Sequence, residues 1–232
     1  MSLAAFLLVA AVARPDLPAV ESLVVEGTNR YRASQGLNTV SPNARLEQAA
    51  RAFANQLADG GNFAHDSGGT TPEIRVRRAG YKECVVAENL ARRYDTAGFT
   101  TRDLAHKLVQ GWIDSPGHRK NMLEADALET GVAVVSRQRD KYEEFYSVQL
   151  FARNESAAVR FRVRNWNASQ VSYRVNGKAF TLDPNWGREH FRCSTPDLLF
   201  EGRARGHFEA TANACYVVQA NGEVKREPGG CE

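Results

Sequence analysis

Three short segments carry the side chains that could do chemistry: "NFAHDSGG" with His65, "AENLA" with Glu88 and Asn89, and "SPGHRKNML" with Ser115 and His118. Two imidazoles and a carboxylate are the ligand set of an open zinc site whose fourth position is left for water. The three lie far apart, without the i, i+4 spacing of an H-E-x-x-H helix, so only a fold could bring them together. The last segment has the grammar of a helix start, with Ser115 as N-cap and Pro116 as first helical residue. His118 then falls near the third helical position. There the positive helix end lowers the imidazole pKa and keeps the ring neutral, the form that binds a metal. Each residue also has a plain reading. His65 could be a loop histidine, Glu88 a helix- or loop-stabilising carboxylate with Asn89 bonding nearby backbone, and His118 a cover for the core.

The elements that must position these groups read as mostly helical over residues 17–125. "AVESLVVEGTNRYRASQG" sets Val20, Leu23, Val24 and Tyr31 on one face and stops at Gly36. "SPNARLEQAARAFANQLADGG" opens with Ser41 as N-cap and Pro42 at the first helical position, then repeats apolar residues from Leu46 to Leu57. "TPEIRVRRAGY" is a short third helix behind Thr71, and "TRDLAHKLVQGWIDS" a fourth. "ETGVAVVSR" and "YEEFYSVQLFAR" then read as two strands joined by a polar turn.

From about residue 157 the chain is β in character, which places a domain boundary near residues 153–158. "AVRFRVRNW" alternates Val159, Phe161 and Val163 with three arginines, a strand with one dry face. "VSYRVNGKAFTL" is a hairpin around Asn176-Gly177, and "CYVVQANGEVKRE" repeats the device at Asn221-Gly222. The expected result is a small sandwich-like module over residues 157–232. Trp166 and Trp186 are expected to pack in its core; exposed beside Asn167 and Asn185, they would instead mark a recognition surface. Asn154 and Asn167 head N-x-S sequons.

The apolar run Leu3–Ala13 is the length of a signal-peptide core, too short to span a bilayer, and ends in Ala11-Val12-Ala13. Residues 1–13 are therefore expected to be a leader, and the chain an exported one, secreted or periplasmic, without a membrane span after the leader is removed. Cys84, Cys193, Cys215 and Cys231 suit two disulfides in an oxidising compartment, in any of the three connectivities. With 43% hydrophobic residues, 25% charged residues and a net charge of +3, the chain is ordinary and globular. Its charged residues are spread through both halves, with no basic block of the kind that binds nucleic acid.

In order and spacing, "VEGTNRYRASQGL", "LEQAARAFANQLA", "FAHDS", "RVRRAGY", "AENLA", "GWIDSPGHRKNML", "TGVAVV" and "FYSVQLF" resemble the CAP superfamily, and within it the bacterial branch. That superfamily unites cysteine-rich secretory proteins, antigen 5 and pathogenesis-related proteins. The resemblance covers about residues 19–152 and implies an α+β chain: a CAP-type α-β-α sandwich over 17–153, followed by the β module. In animal and plant members it also implies a cleft where two His and two Glu can hold a divalent metal such as zinc. His65 and Glu88 match the first of each. Ser115 stands in place of the second Glu, and Tyr146 in place of the second His, in a motif ending at Gln149. His118, one helical turn past Ser115, could supply the missing nitrogen. The expected cleft is thus lined by His65, Glu88, Asn89, Ser115, His118, Tyr146 and Gln149.

Two functions fit. The first is a non-enzymatic extracytoplasmic module presenting the His/Glu/His cleft to a small molecule, lipid or envelope component. The alternative is a metal-dependent, protease-like hydrolase that activates water with Glu88, His65 and His118. No G-x-S-x-G, H-E-x-x-H or cysteine-nucleophile motif supports the alternative, so binding is favoured.

Overall fold

A computed structural model describes residues 14–229 and Cys231. The expected leader, residues 1–13, lies outside the described residues. The rest forms two compact units, one ending at Ala152 and the other beginning at Arg153.

In the first unit, helix α1 (Leu17–Ser34) starts behind Asp16, whose side chain accepts from the Ala19 amide. It ends before Gly36, which turns the chain with φ +75°. Near that end Arg32 is fully buried. Its guanidinium donates to the carbonyls of Asn38, Met122, Glu124 and Ala127. Strand β1 is only Ser41–Pro42, paired in parallel to β3 (Glu129–Gln138). Ser41 and Pro42 therefore do not start a helix as the sequence suggests. Asn43 caps α2 (Ala44–Ala58), its side-chain oxygen accepting from the Arg45 and Leu46 amides. Thr71 does cap α3 (Pro72–Arg78), as read.

Between α3 and α4 (Thr101–Asp114), where the sequence names no helix, the mostly helical stretch is interrupted by a strand. Residues 83–95 form β2 (Glu83–Asp95), an edge strand of a four-stranded sheet ordered β1-β3-β4-β2, with β4 spanning Glu143–Asn154. Helix α5 (Pro116–Met122) follows α4 directly. The sheet is covered on both faces. Tyr146, Val148 and Leu150 of β4 pack with α2 and α3, whereas Phe145 and Phe151 join Val20, Val24, Leu104 and Trp112 under α1 and α4. A layered α-β-α arrangement results. At Gly131 of β3 the helix backbone comes so near that a Cβ would collide with the Leu46 carbonyl carbon and the Glu47 amide nitrogen of α2.

The second unit holds two four-stranded sheets around one core. One sheet has the order β12-β11-β5-β8, and the other β10-β9-β6-β7. In chain order the strands are β5 (Val159–Asn165), β6 (Val171–Val175), β7 (Lys178–Leu182), β8 (Gly187–Arg192), β9 (Asp197–Glu201), β10 (Gly206–Glu209), β11 (Ala214–Val218) and β12 (Val224–Pro228). Val159, Phe161 and Val163 of β5 face Tyr173, Val175, Leu198 and Phe200 across the interior. The turn at Asn176-Gly177 has both residues at positive φ, 49° and 76°, as a type I′ hairpin needs. The second hairpin is different. Val218 pairs with Val224 across a five-residue loop, and only Gly222 takes positive φ, while Asn221 accepts from the Glu223 amide.

Trp166 and Trp186 are not core residues: they stand 41% and 67% exposed. Among the described residues no cysteine is free, and Cys215 is bridged to Cys231. No helix of the described residues is long and apolar enough to cross a membrane.

Candidate functional site

The site is organised by the middle of β2. Glu88 points to the α2/α3 side of the sheet and is 4% exposed. Its Oε2 accepts from Arg75 Nη2 of α3 at 2.6 Å, and its Oε1 lies 2.9 Å from His65 Nδ1. The carboxylate can only accept, so His65 carries its proton on Nδ1 and turns Nε2 outward. His65 comes from the loop after α2, its side chain about half exposed.

Arg75 holds this loop as well as the carboxylate. Its Nη1 donates to the carbonyls of His65 and Thr70 at 3.0 and 2.6 Å, and its guanidinium lies 3.5 Å from the centre of the Phe53 ring. Sequence reasoning missed this residue. "RVRRAG" offers three arginines, and nothing in the segment says that Arg75 turns inward while Ile74 stands exposed and Arg77 pairs at the surface with Glu83.

From the other side of the sheet, α5 is fixed to the same stretch of β2. Asn89 Nδ2 donates to the His118 carbonyl at 3.1 Å, and Asn121 Nδ2 donates to the Glu88 carbonyl at 2.8 Å and to Asn89 Oδ1 at 3.0 Å. His65, Glu88, Asn89 and His118 are thus gathered around two consecutive strand residues. Among the described residues no hydrogen bond joins the His118 ring to His65 or Glu88.

The two imidazoles are pushed in opposite directions. The hydrogen bond to Glu88 raises the His65 pKa, against a smaller effect of burial. His118 is lowered by burial first, then by the positive charges of His65 and Arg93. Burial and neighbouring charge thus lower His118 in the same direction as its place at a helix start. Ser115 occupies the N-cap position with an extended backbone, yet its side chain makes no capping hydrogen bond; its carbonyl accepts from the Arg119 amide.

One residue expected in the cleft lies elsewhere. Gln149 is fully buried on the opposite face of β4, donating to Thr28 of α1 at 3.1 Å. Tyr146 is buried on the α2/α3 side, its hydroxyl donating to Glu144 at 2.7 Å and its ring 6.3 Å from Phe63. It packs against the His65 loop, and among the described residues no hydrogen bond joins it to His65 or Glu88.

The donors as arranged do not fit a metal. Each Glu88 oxygen already accepts one hydrogen bond, and one belongs to a buried pair with a guanidinium that would repel a second cation. Among the described residues no group of three or more His, Cys, Asp or Glu could hold a metal ion. What the set offers instead is an oriented imidazole edge at His65 beside a second, less basic imidazole at His118.

The sequence model of the cysteine-rich secretory protein family, CAP, matches residues 25–151, more than half of the chain. The chain belongs to the CAP family. Its CAP domain is similar to the protein YkwD of Bacillus subtilis (strain 168), whose name calls it uncharacterized, at 31% identity over 121 residues. That match takes in 52% of this chain and 44% of YkwD, so the chain spans under half the length of this curated relative. Among solved structures, an outer surface protein from Borrelia burgdorferi is 21% identical with a TM-score of 0.49, over 58% of this chain and 92% of that one. An extracellular protein containing an SCP domain from Bacillus anthracis str. Ames is 24% identical with a TM-score of 0.49, over 60% and 41% of the two chains. The chain is a CAP-family protein of α+β fold.

Proposed function

We propose that this CAP protein is an exported, non-enzymatic binding module whose cleft takes a small polar molecule or envelope component between His65 Nε2 and His118. The observation that carries this reading is the commitment of Glu88. With each oxygen already accepting a hydrogen bond and its side chain 1% exposed, it orients His65 and is shielded from bulk solvent. A carboxylate in that position serves recognition better than water activation. Export is supported by cysteines held in disulfides, which persist in oxidising compartments.

The test is ligand-observed NMR on the full chain with soluble envelope fragments and small polar metabolites, repeated with His65→Ala and His118→Ala. The expected result is a ligand class whose binding weakens at least about tenfold in both variants, without turnover. Binding unaffected by either substitution would remove the cleft from the proposal. Turnover that disappears in the variants would convert the protein to an enzyme.

A further inference from the structure

The second unit has a surface that the cleft does not explain. From Arg153 onward twelve Lys and Arg stand against nine Asp and Glu, whereas eighteen stand against eighteen before it, so the net charge of +3 belongs to this unit. Strands β7 and β8 are the outer strands of their two sheets, and they adjoin at one open edge of the sandwich. There Lys178, Arg188 and Arg192 all reach the half-buried ring of Phe180, at 5.7, 5.4 and 6.0 Å from its centre. Among the described residues, none of the three is in an ion pair. At one end of this edge the chain leaves β7 through a turn that closes with the Trp186 amide donating to Asp183. Trp186 stands there 67% exposed, and Trp166, 41% exposed with Arg164 5.5 Å from its ring, follows the neighbouring end of β5.

Charged side chains on edge strands also protect an open sheet edge from pairing, and their stems can close the end of a core. That accounts for the cations alone. It does not account for two large indoles left in water on adjacent turns of the same sheet end. Indoles with clustered Lys and Arg are the pair of features that an anionic bilayer surface selects: the ring enters the headgroup level while the cations meet acidic lipids. Both rings stand on turns rather than in a groove, which suits a flat partner better than a threaded polymer.

We propose that the β7–β8 edge, with Trp186 and Trp166, docks this unit on an anionic lipid surface. The experiment is co-sedimentation of the full chain with vesicles of phosphatidylcholine alone and of phosphatidylcholine with phosphatidylglycerol, at rising salt, with tryptophan emission recorded. Binding is expected only to the anionic vesicles, weakening with salt and accompanied by a blue shift; Trp112, 1% exposed, gives a constant background. Arg188→Glu/Arg192→Glu keeps the edge charged, so protection against pairing survives, yet is expected to weaken binding roughly tenfold or more. Trp186→Ala is expected to reduce both the binding and the shift. Lys178→Glu, at an exposed site, gives an independent charge reversal should the double variant fail to fold. Equal binding to neutral vesicles, binding unchanged by charge reversal, or capture of heparin with no binding to vesicles would each overturn the proposal.

Discussion

Arg75 and Glu88, thirteen residues apart in the chain, meet at 2.6 Å with side chains only 7% and 1% exposed. One comes from a helix and the other from an edge strand, so the pair ties α3 to β2 and fixes the loop that carries His65. Removing one member of a buried pair leaves the other charge without its partner, at a cost of about 3–5 kcal/mol. Arg75→Ala is expected to lose that much stability in urea unfolding, and Arg75→Met/Glu88→Gln to lose clearly less. A loss below about 1 kcal/mol in the single variant would place the pair among surface-type contacts.

The two imidazoles should titrate on opposite sides of the ordinary value near 6.5. Followed by NMR, His65 is expected above it and His118 below it. Glu88→Gln removes the largest cause at His65 and should bring its midpoint down. His65→Ala removes a positive charge beside His118 and should bring that midpoint up. Midpoints that do not respond to these changes would separate the three groups.

A site without a suitable ligand set should be indifferent to metal. Chelation is expected to leave the melting temperature unchanged, and added zinc at micromolar concentration to leave the His65 and His118 resonances in place. Stoichiometric metal in the purified protein, lost in His118→Ala, would contradict the reading of Glu88 as fully engaged.

His190 predicts a pH effect in the second unit. It is 4% exposed, its Nε2 lies 2.9 Å from the Tyr173 hydroxyl, and burial, then Arg192 and Arg188, lower its pKa to about 4. The unfolded chain takes up a proton near pH 6.5 and the folded chain only near 4. Stability from this residue is therefore complete above pH 6.5 and declines as the pH falls toward 4, by up to about 3 kcal/mol. Urea midpoints for His190→Phe should show a smaller decline across that window.

The helices with strong caps and clear periodicity, and the strands with alternating or β-branched runs, were legible in the sequence. What was not legible depended on distant partners. "ECVVAENLARRYD" has Ala, Glu, Asn and Leu at its centre, residues of weak strand preference, and becomes a strand because β4 lies beside it. Ser41-Pro42 has sound capping grammar, but the Ser41 amide is claimed by the Leu128 carbonyl and Asn43 caps instead. Of the expected site, His65 and Glu88 could be found through the family pattern. The partner that immobilises Glu88 could not, because the inward turn of Arg75 is a property of packing.

Helix α5 has seven residues, too few to persist by itself, so the place of His118 is borrowed. Part of the loan comes from Asn89 and Asn121, and part from Arg32, which grips the carbonyls of Met122, Glu124 and Ala127 just behind the helix. The place of His118 is thereby governed from the far end of α1. Substitutions there would move His118 relative to His65 while both residues stay the same.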